Sequence, residues 1–191
     1  MAAETSGAFA WPETLWTIGH STRTLDAFIG LLRQNHIALL ADVRHFPGSR
    51  KYPHFNVEPL RAGLAAGGIA YAPFTELGGR RKVLPDSPNT GWRHPAFRGY
   101  ADYMQTDAFR AGIARLAPLA ARQPTAIMCA EAVWWRCHRR LLSDVFKLNG
   151  TRVLHILGPA APREHRWMAP ARVVDGILTY AALPGQDAAE G

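Results

Sequence analysis

Thr125-Ala-Ile-Met128, Cys129-Ala-Glu131, Ala132-Val-Trp-Trp-Arg136 and Cys137-His-Arg-Arg140 run consecutively through the chain, and their reading decides the rest. The first four residues are an apolar run of the length of a buried strand. Leu141, Leu142, Val145, Phe146 and Leu148 then recur at helical spacing. Both cysteines of the chain, a carboxylate, an imidazole and a group of arginines lie between that strand and that helix. Reactive side chains therefore sit where a strand ends and a helix begins, which is where open α/β sheets place their binding sites.

The same alternation extends in both directions. Leu15-Trp-Thr-Ile18 reads as a buried strand ending at Gly19-His20-Ser21, followed by a helix from Thr24 with Leu25, Phe28, Leu31 and Leu32 on one face. Thr24 is the N-cap candidate, because its hydroxyl can accept from an unpaired first-turn N–H. Ile37-Ala-Leu-Leu-Ala41 reads as a second strand, ending at Asp42-Val43-Arg44 and a loop dense in aromatics and cations up to Phe55. A helix over about 57–66 and a strand over about 69–75 lead to Glu76-Leu77-Gly78-Gly79-Arg80-Arg81. The proline-rich stretch from Lys82 to Phe97 reads as an irregular excursion, long enough to suggest function. Helices are expected around Tyr100–Met104 and Ala108–Ala121, and a fifth strand at Arg152–Leu157. Val173-Val-Asp-Gly-Ile-Leu178 carries the Asp-Gly signal of a hairpin.

Strands alternating with helices predict an α/β fold: a single open, mostly parallel sheet with helices on both faces and a small C-terminal hairpin. The expected organisation is a flexible N-terminal tail over 1–13, one α/β domain over 14–183 and a flexible C-terminal tail over 184–191. Hydrophobic residues make up 48% and charged residues 19%, which excludes a disordered or fibrous chain. No stretch approaches the length of a membrane span, and the first residues show no basic-then-apolar leader pattern. With two cysteines, too few for a disulfide framework, a cytoplasmic location without membrane partners is expected.

The formal net charge is +7, and 19 of the 22 basic residues are arginine. Such a basic protein favours anionic partners, and arginine in particular suits bidentate recognition of phosphate or carboxylate. Genomic bias toward arginine, alanine, glycine and proline explains the same composition, so charge alone does not name a ligand.

The polar residues fall where four strands end: His20 and Ser21, Asp42 and Arg44, Glu76 with Arg80 and Arg81, then Cys129 and Glu131. A parallel sheet brings those ends to one edge. The ordered set Thr17-Ile-Gly-His-Ser21, Ala41-Asp-Val-Arg44, Pro47-Gly-Ser-Arg50, Leu77-Gly-Gly79, Gly99-Tyr-Ala-Asp-Tyr-Met104, Cys129-Ala-Glu131 and Cys137-His-Arg139 resembles the domain of unknown function 488 family. The resemblance runs from about Thr17 to Tyr180 and implies a bacterial α/β domain. It also places His20, Asp42, Arg44, Cys129, Glu131, Cys137, His138 and Arg139 in family motifs. The family carries no settled activity, so the resemblance implies a fold and motif residues, not a reaction.

Several chemistries fit these residues. Ser21, Arg44, Arg50, Arg80, Arg81, Arg139 and Arg140 are candidates to hold an anion. Cys137, beside His138 and arginines, is a candidate nucleophile, with Cys129 as the alternative. Glu131, Asp42 and His20 are candidates for acid–base work. The phosphatase-type loop, a cysteine followed after five residues by arginine, fails here because position 135 is Trp135 and the arginine is Arg136. A zinc or iron site from Cys129, Cys137, His138 and His20 matches no standard spacing. Adjacent residues on a helix also point about 100° apart, so Cys137 and His138 would not share an ion. No metal is expected on this reading, and no cofactor is named. A redox pair lacks the Cys-x-x-Cys signature.

The sequence thus predicts an enzyme that binds a phosphate-bearing ligand, a nucleotide or nucleic-acid end, and performs hydrolysis or group transfer at the strand edge. The competing expectation is a non-catalytic module. It would grip nucleic acid or a protein through arginine-rich loops and Tyr52, Phe55, Trp92 and Trp134. Neither reading sets an oligomeric state.

Overall fold

A computed structural model describes residues 9–182. Strand β1 (Thr14–Gly19) is followed by helix α1 (Leu25–Gln34), β2 (Leu39–Asp42), α2 (Val57–Ala66) and β3 (Ala70–Pro73). Next come α3 (Pro95–Tyr103), α4 (Asp107–Arg122), β4 (Thr125–Cys129), α5 (Arg139–Leu148) and β5 (Arg152–Ile156). Short strands β6 (Arg163–Glu164), β7 (Arg172–Val174) and β8 (Ile177–Thr179) complete the chain. The main sheet has the order β3-β2-β4-β1-β5-β6, parallel except for β6 at its edge, while β7 and β8 form the expected hairpin.

Local chemistry accounts for the elements. Thr24 caps α1, its hydroxyl accepting from the Ala27 amide at 3.2 Å. Phe28, Leu31 and Leu32 then bury one face of that helix against Ile18, Leu40, Leu60 and Leu64. Each fully buried side chain of this kind contributes about 1.5–3 kcal/mol. A second core, containing Leu15, Phe74, Tyr100, Leu116, Ile127, Leu141 and Phe146, lies on the opposite face under α3, α4 and α5. The central strands β2 and β4 are apolar on both faces because both faces are covered.

The structure departs from the sequence reading at the margins. Residues 9–13 fall within the expected N-terminal tail, yet Phe9 and Trp11 pack on the second core and Trp11 meets Phe146 edge-on at 5.3 Å. The remainder of that tail, and the one over 184–191, lie outside the described residues. The short antiparallel β6 carried no periodic signal. The excursion after Arg81 is organised by Asp102, whose carboxylate accepts from the Leu84 amide, Ser87 Oγ and Asn89 Nδ2 at 2.5–2.9 Å.

Topology positions the site. Strand β4 lies between β1 and β2. Helices α1 and α2, which follow β1 and β2, pack on one face, whereas α5, which follows β4, packs on the other. The chain therefore diverges at the C-terminal end of β4 and leaves a crevice there.

Candidate functional site

A cavity of about 870 Å³ occupies that crevice. The segment after β2 contributes Arg44, His45 and Phe46, and the one after β3 contributes Gly79 and Arg80. His94, Ala96 and Phe97 come from the start of α3, and the β4–α5 connection supplies Cys129, Ala130, Glu131, Trp135, Arg136, Cys137 and His138. At the mouth Glu131, His94, Arg80 and Arg136 are exposed, with Phe46 at 63% and Trp135 at 41% exposure flanking them. Arg80 is held at φ +61°, a left-handed conformation that costs a non-glycine residue on the order of 1 kcal/mol. Its guanidinium lies over the Phe46 ring at 5.7 Å.

Cys129, Cys137 and His138 form the floor. Their sulfur and imidazole ligand atoms all lie within 4.8 Å of one another, and Cys137 Sγ is 3.5 Å from His138 Nδ1. Arg139 Nε donates to Cys137 Sγ at 3.4 Å and its terminal nitrogen donates to the Glu131 carbonyl. Arg139 is 1% exposed and makes no ion pair with a carboxylate among the described residues. Burial opposes ionisation of Cys137, but the bond from Cys129 and the charges of His138 and Arg139 outweigh it and pull its thiol well below the ordinary range. The Cys129 thiol moves the other way, raised by that shared bond and by burial.

The backbone explains why these groups meet. Gly19 ends β1 so close to the β4–α5 connection that a Cβ would stand 1.9 Å from the Glu131 carbonyl oxygen. The amides of His20 and Ser21 donate to the Cys129 and Ala130 carbonyls at 3.0 and 2.9 Å, extending the β1–β4 pairing past the sheet. Cys137 has an extended backbone (φ −131°, ψ 151°) and α5 begins only at Arg139. Cys137 and His138 are therefore not offset by a helical step, and the sequence-based objection to their convergence falls.

Other candidates stand elsewhere. Asp42 and Arg44 form a buried bidentate pair, with Arg44 Nη2 donating to Asp42 Oδ2 at 2.6 Å. Tyr71 donates to the same oxygen at 2.9 Å, and Arg44 Nη1 donates to the Phe55 carbonyl at 2.9 Å. Arg44 lines the cavity with its own carboxylate already attached, and Asp42 does not reach the wall. The His20 ring stacks on Phe55 at 4.2 Å, and neither His20 nor its neighbour Ser21 lines the cavity. Burial lowers the His20 pKa to about 4. Arg81 donates to the Gly78 and Glu76 carbonyls and covers the Tyr103 ring at 3.6 Å. Arg50 is exposed outside the cavity.

Arg140 is buried behind the wall over Trp92 and Phe97, at 4.4 and 4.6 Å, and burial lowers its pKa to about 10. Trp92 and Phe55 are fully buried and so are unavailable to grip a partner, and Trp134 stacks on His155 at 4.1 Å. The sequence reading missed His45, His94, Trp135 and Arg136 as wall residues. His45 directly follows the Asp42-Val43-Arg44 strand end, a placement that points to it; Trp135 and Arg136 enter the sequence reading only as the positions at which the phosphatase-type loop fails.

Fold and site together define an α/β protein with a cavity of mixed polar and aromatic lining at the C-terminal end of its central strand. The family model described as domain of unknown function DUF488 matches residues 24–146, well over half of the chain, and the chain belongs to that family. This span is narrower than the motif set and leaves the His20-Ser21 strand end outside it. No curated protein and no solved structure matches the chain. Among the described residues no helix is long and apolar enough to cross a membrane.

Proposed function

We propose that the protein is an enzyme that binds a phosphate-bearing ligand, a nucleotide or nucleic-acid end, in the cavity at the end of β4 and carries out hydrolysis or group transfer. One observation carries this reading: a basic, aromatic-flanked mouth that also holds the Glu131 carboxylate opens over a floor of sulfur and imidazole groups. Arg80 and Arg136 hold the anion, and α5, which has no side-chain cap, turns its partially positive end toward the floor. Phe46 and Trp135 present faces on which a base stacks. Glu131, whose Oε1 accepts from the neighbouring Ala132 amide at 3.1 Å, serves as the proton carrier. The Cys129–Cys137–His138 cluster activates the attacking group.

A thermal-shift panel of nucleotides, sugar phosphates and short oligonucleotides tests the reading. A ligand at about 100 times its Kd stabilises by about 2.7 kcal/mol. The expected result is a rise with a small phosphorylated ligand that is lost in Arg80→Ala and Arg136→Ala, and turnover that is lost in Glu131→Gln. Binding only to oligonucleotides, with no turnover to lose, would favour the non-catalytic module.

A further inference from the structure

The floor contains more than reactive side chains. We propose that Cys129 Sγ, Cys137 Sγ and His138 Nδ1 form a site for a zinc-class metal ion, with its fourth position open to the cavity. This replaces the sequence-based expectation of no metal, and it rests on the function proposed above only for what the open position faces.

Geometry is the first support. Zinc takes thiolate sulfur at about 2.3 Å and imidazole nitrogen at about 2.0–2.1 Å in a tetrahedral array. Neighbouring ligand atoms then stand about 3.5–3.8 Å apart. Cys137 Sγ and His138 Nδ1 are already 3.5 Å apart, and all three ligand atoms lie within 4.8 Å of one another. Closing the cluster around an ion requires side-chain movement on the order of 1 Å or less. The three ligands come from a strand end and from the two residues before a helix, so rigid elements hold them on both sides. Gly79 packs so closely that a Cβ there would lie 2.9 Å from His138 Nδ1, and the Tyr100 ring sits 5.0 Å from the imidazole. The ring is thus fixed by packing.

Arg139 is the second observation: it is buried and its Nε donates to Cys137 Sγ at 3.4 Å, and a cation there favours the thiolate, the form of cysteine that binds metal. The N–H that Arg139 directs at Cys137 Sγ is of the kind that orients metal-bound thiolates from outside the coordination sphere. Three protein ligands with one open position is the pattern of catalytic, not structural, zinc sites.

The test uses the full chain, reduced and stripped of metal, titrated with Co²⁺ and then Zn²⁺. The expected result is one equivalent of Co²⁺ with thiolate-to-metal charge-transfer absorption and tetrahedral visible bands, displaced by one equivalent of Zn²⁺. Cys129→Ser, Cys137→Ser and His138→Gln are each expected to lose that binding, whereas Glu131→Gln keeps it. In case the cysteine variants misfold, the unaltered chain supplies a second reading: Zn²⁺ should protect both thiols from alkylation, one ion per chain. Absence of binding, an octahedral spectrum without charge transfer, or thiols alkylated equally fast with and without Zn²⁺ would overturn the metal site. The phosphate-ligand panel, repeated on the stripped chain, separates the two proposals. Ligand binding without metal binding would retain the cavity function and leave Cys137 itself as the attacking group; metal binding without any phosphorylated ligand would do the reverse.

Discussion

Gly19 shows how one residue governs the site from a strand that does not line it. A methyl group at that position would meet backbone, the Glu131 carbonyl at 1.9 Å, which cannot rotate away as a flexible side chain can. Gly19→Ala is therefore expected to destabilise the fold by about 3 kcal/mol or more, read as a lower urea midpoint, and to speed alkylation of Cys137 as the connection shifts. Asp42 carries a different constraint. It satisfies Arg44 and Tyr71 at a buried position, where losing the carboxylate leaves a buried guanidinium without its counter-charge. Asp42→Asn is expected to cost about 3–5 kcal/mol in denaturant unfolding. A loss below about 1 kcal/mol would mean that the pair is dispensable and would reopen an acid–base role for Asp42.

At the scale of elements, a buried chain of hydrogen bonds ties α5 to the sheet. The Asp144 carboxylate can only accept, so His165 Nε2 donates to its Oδ1 at 2.9 Å. His165 Nδ1 then accepts from His155 Nε2 at 3.0 Å, and His155 Nδ1 accepts from Thr17 Oγ1 at 2.7 Å. The His155 imidazole is neutral in this arrangement. Burial lowers the His155 pKa to about 2, with smaller contributions from the charges of His165 and Arg139. The sign follows from linkage: a histidine that stays neutral when folded binds its proton only when unfolded. Its contribution is therefore complete above about pH 6.5 and shrinks as the pH falls toward 2. One such group changes unfolding free energy by about 1.4 kcal/mol per pH unit, so about 2 kcal/mol is expected to be lost between pH 6.5 and pH 5. Urea titrations at those two values check this, and His155→Asn should flatten the slope whatever it does to overall stability. The excursion after Arg81 depends in the same way on Asp102. Asp102→Asn is expected to increase amide hydrogen exchange over 84–89 by at least about tenfold, while the exchange of β4 is unchanged.

For the whole molecule the relevant quantities are the net charge of +7 and where it is exposed. Arg44, Arg139 and Arg140 are buried and already engaged by a carboxylate, a sulfur or aromatic faces, so they add little to ligand capture. Arg80 and Arg136 at the mouth remain exposed to solvent. Phosphate-ligand affinity is accordingly expected to fall about tenfold for each arginine removed and to weaken as ionic strength rises through about 0.5 M. Calorimetric titration at two salt concentrations measures both effects. An affinity indifferent to salt and to both variants would place the ligand elsewhere.

Which parts were legible beforehand follows from the range of the forces involved. Helical periodicity marked α1, α2, α4 and α5, the Thr24 cap and the Asp175-Gly176 turn were readable residue by residue, and the short apolar runs marked the parallel strands. Local sequence also brought Cys129, Glu131, Cys137 and His138 to one strand end, because no more than nine residues separate them. It did not show which arginines would be buried. That outcome depends on the aromatic faces of Trp92 and Phe97 and the carboxylate of Asp42, which reach their partners through packing and strand-end geometry, not through periodicity. Nor did it show that Cys137 lies before its helix, since helix boundaries depend on backbone hydrogen bonds that periodicity does not resolve. The sequence by itself determined the alternating α/β architecture and the strand end that carries the chemistry, because periodicity and turn residues act over a few positions. Only the tertiary structure decided that two sulfurs and an imidazole converge beside a buried arginine, because that meeting depends on β4 lying between β1 and β2 and on the space left at Gly19.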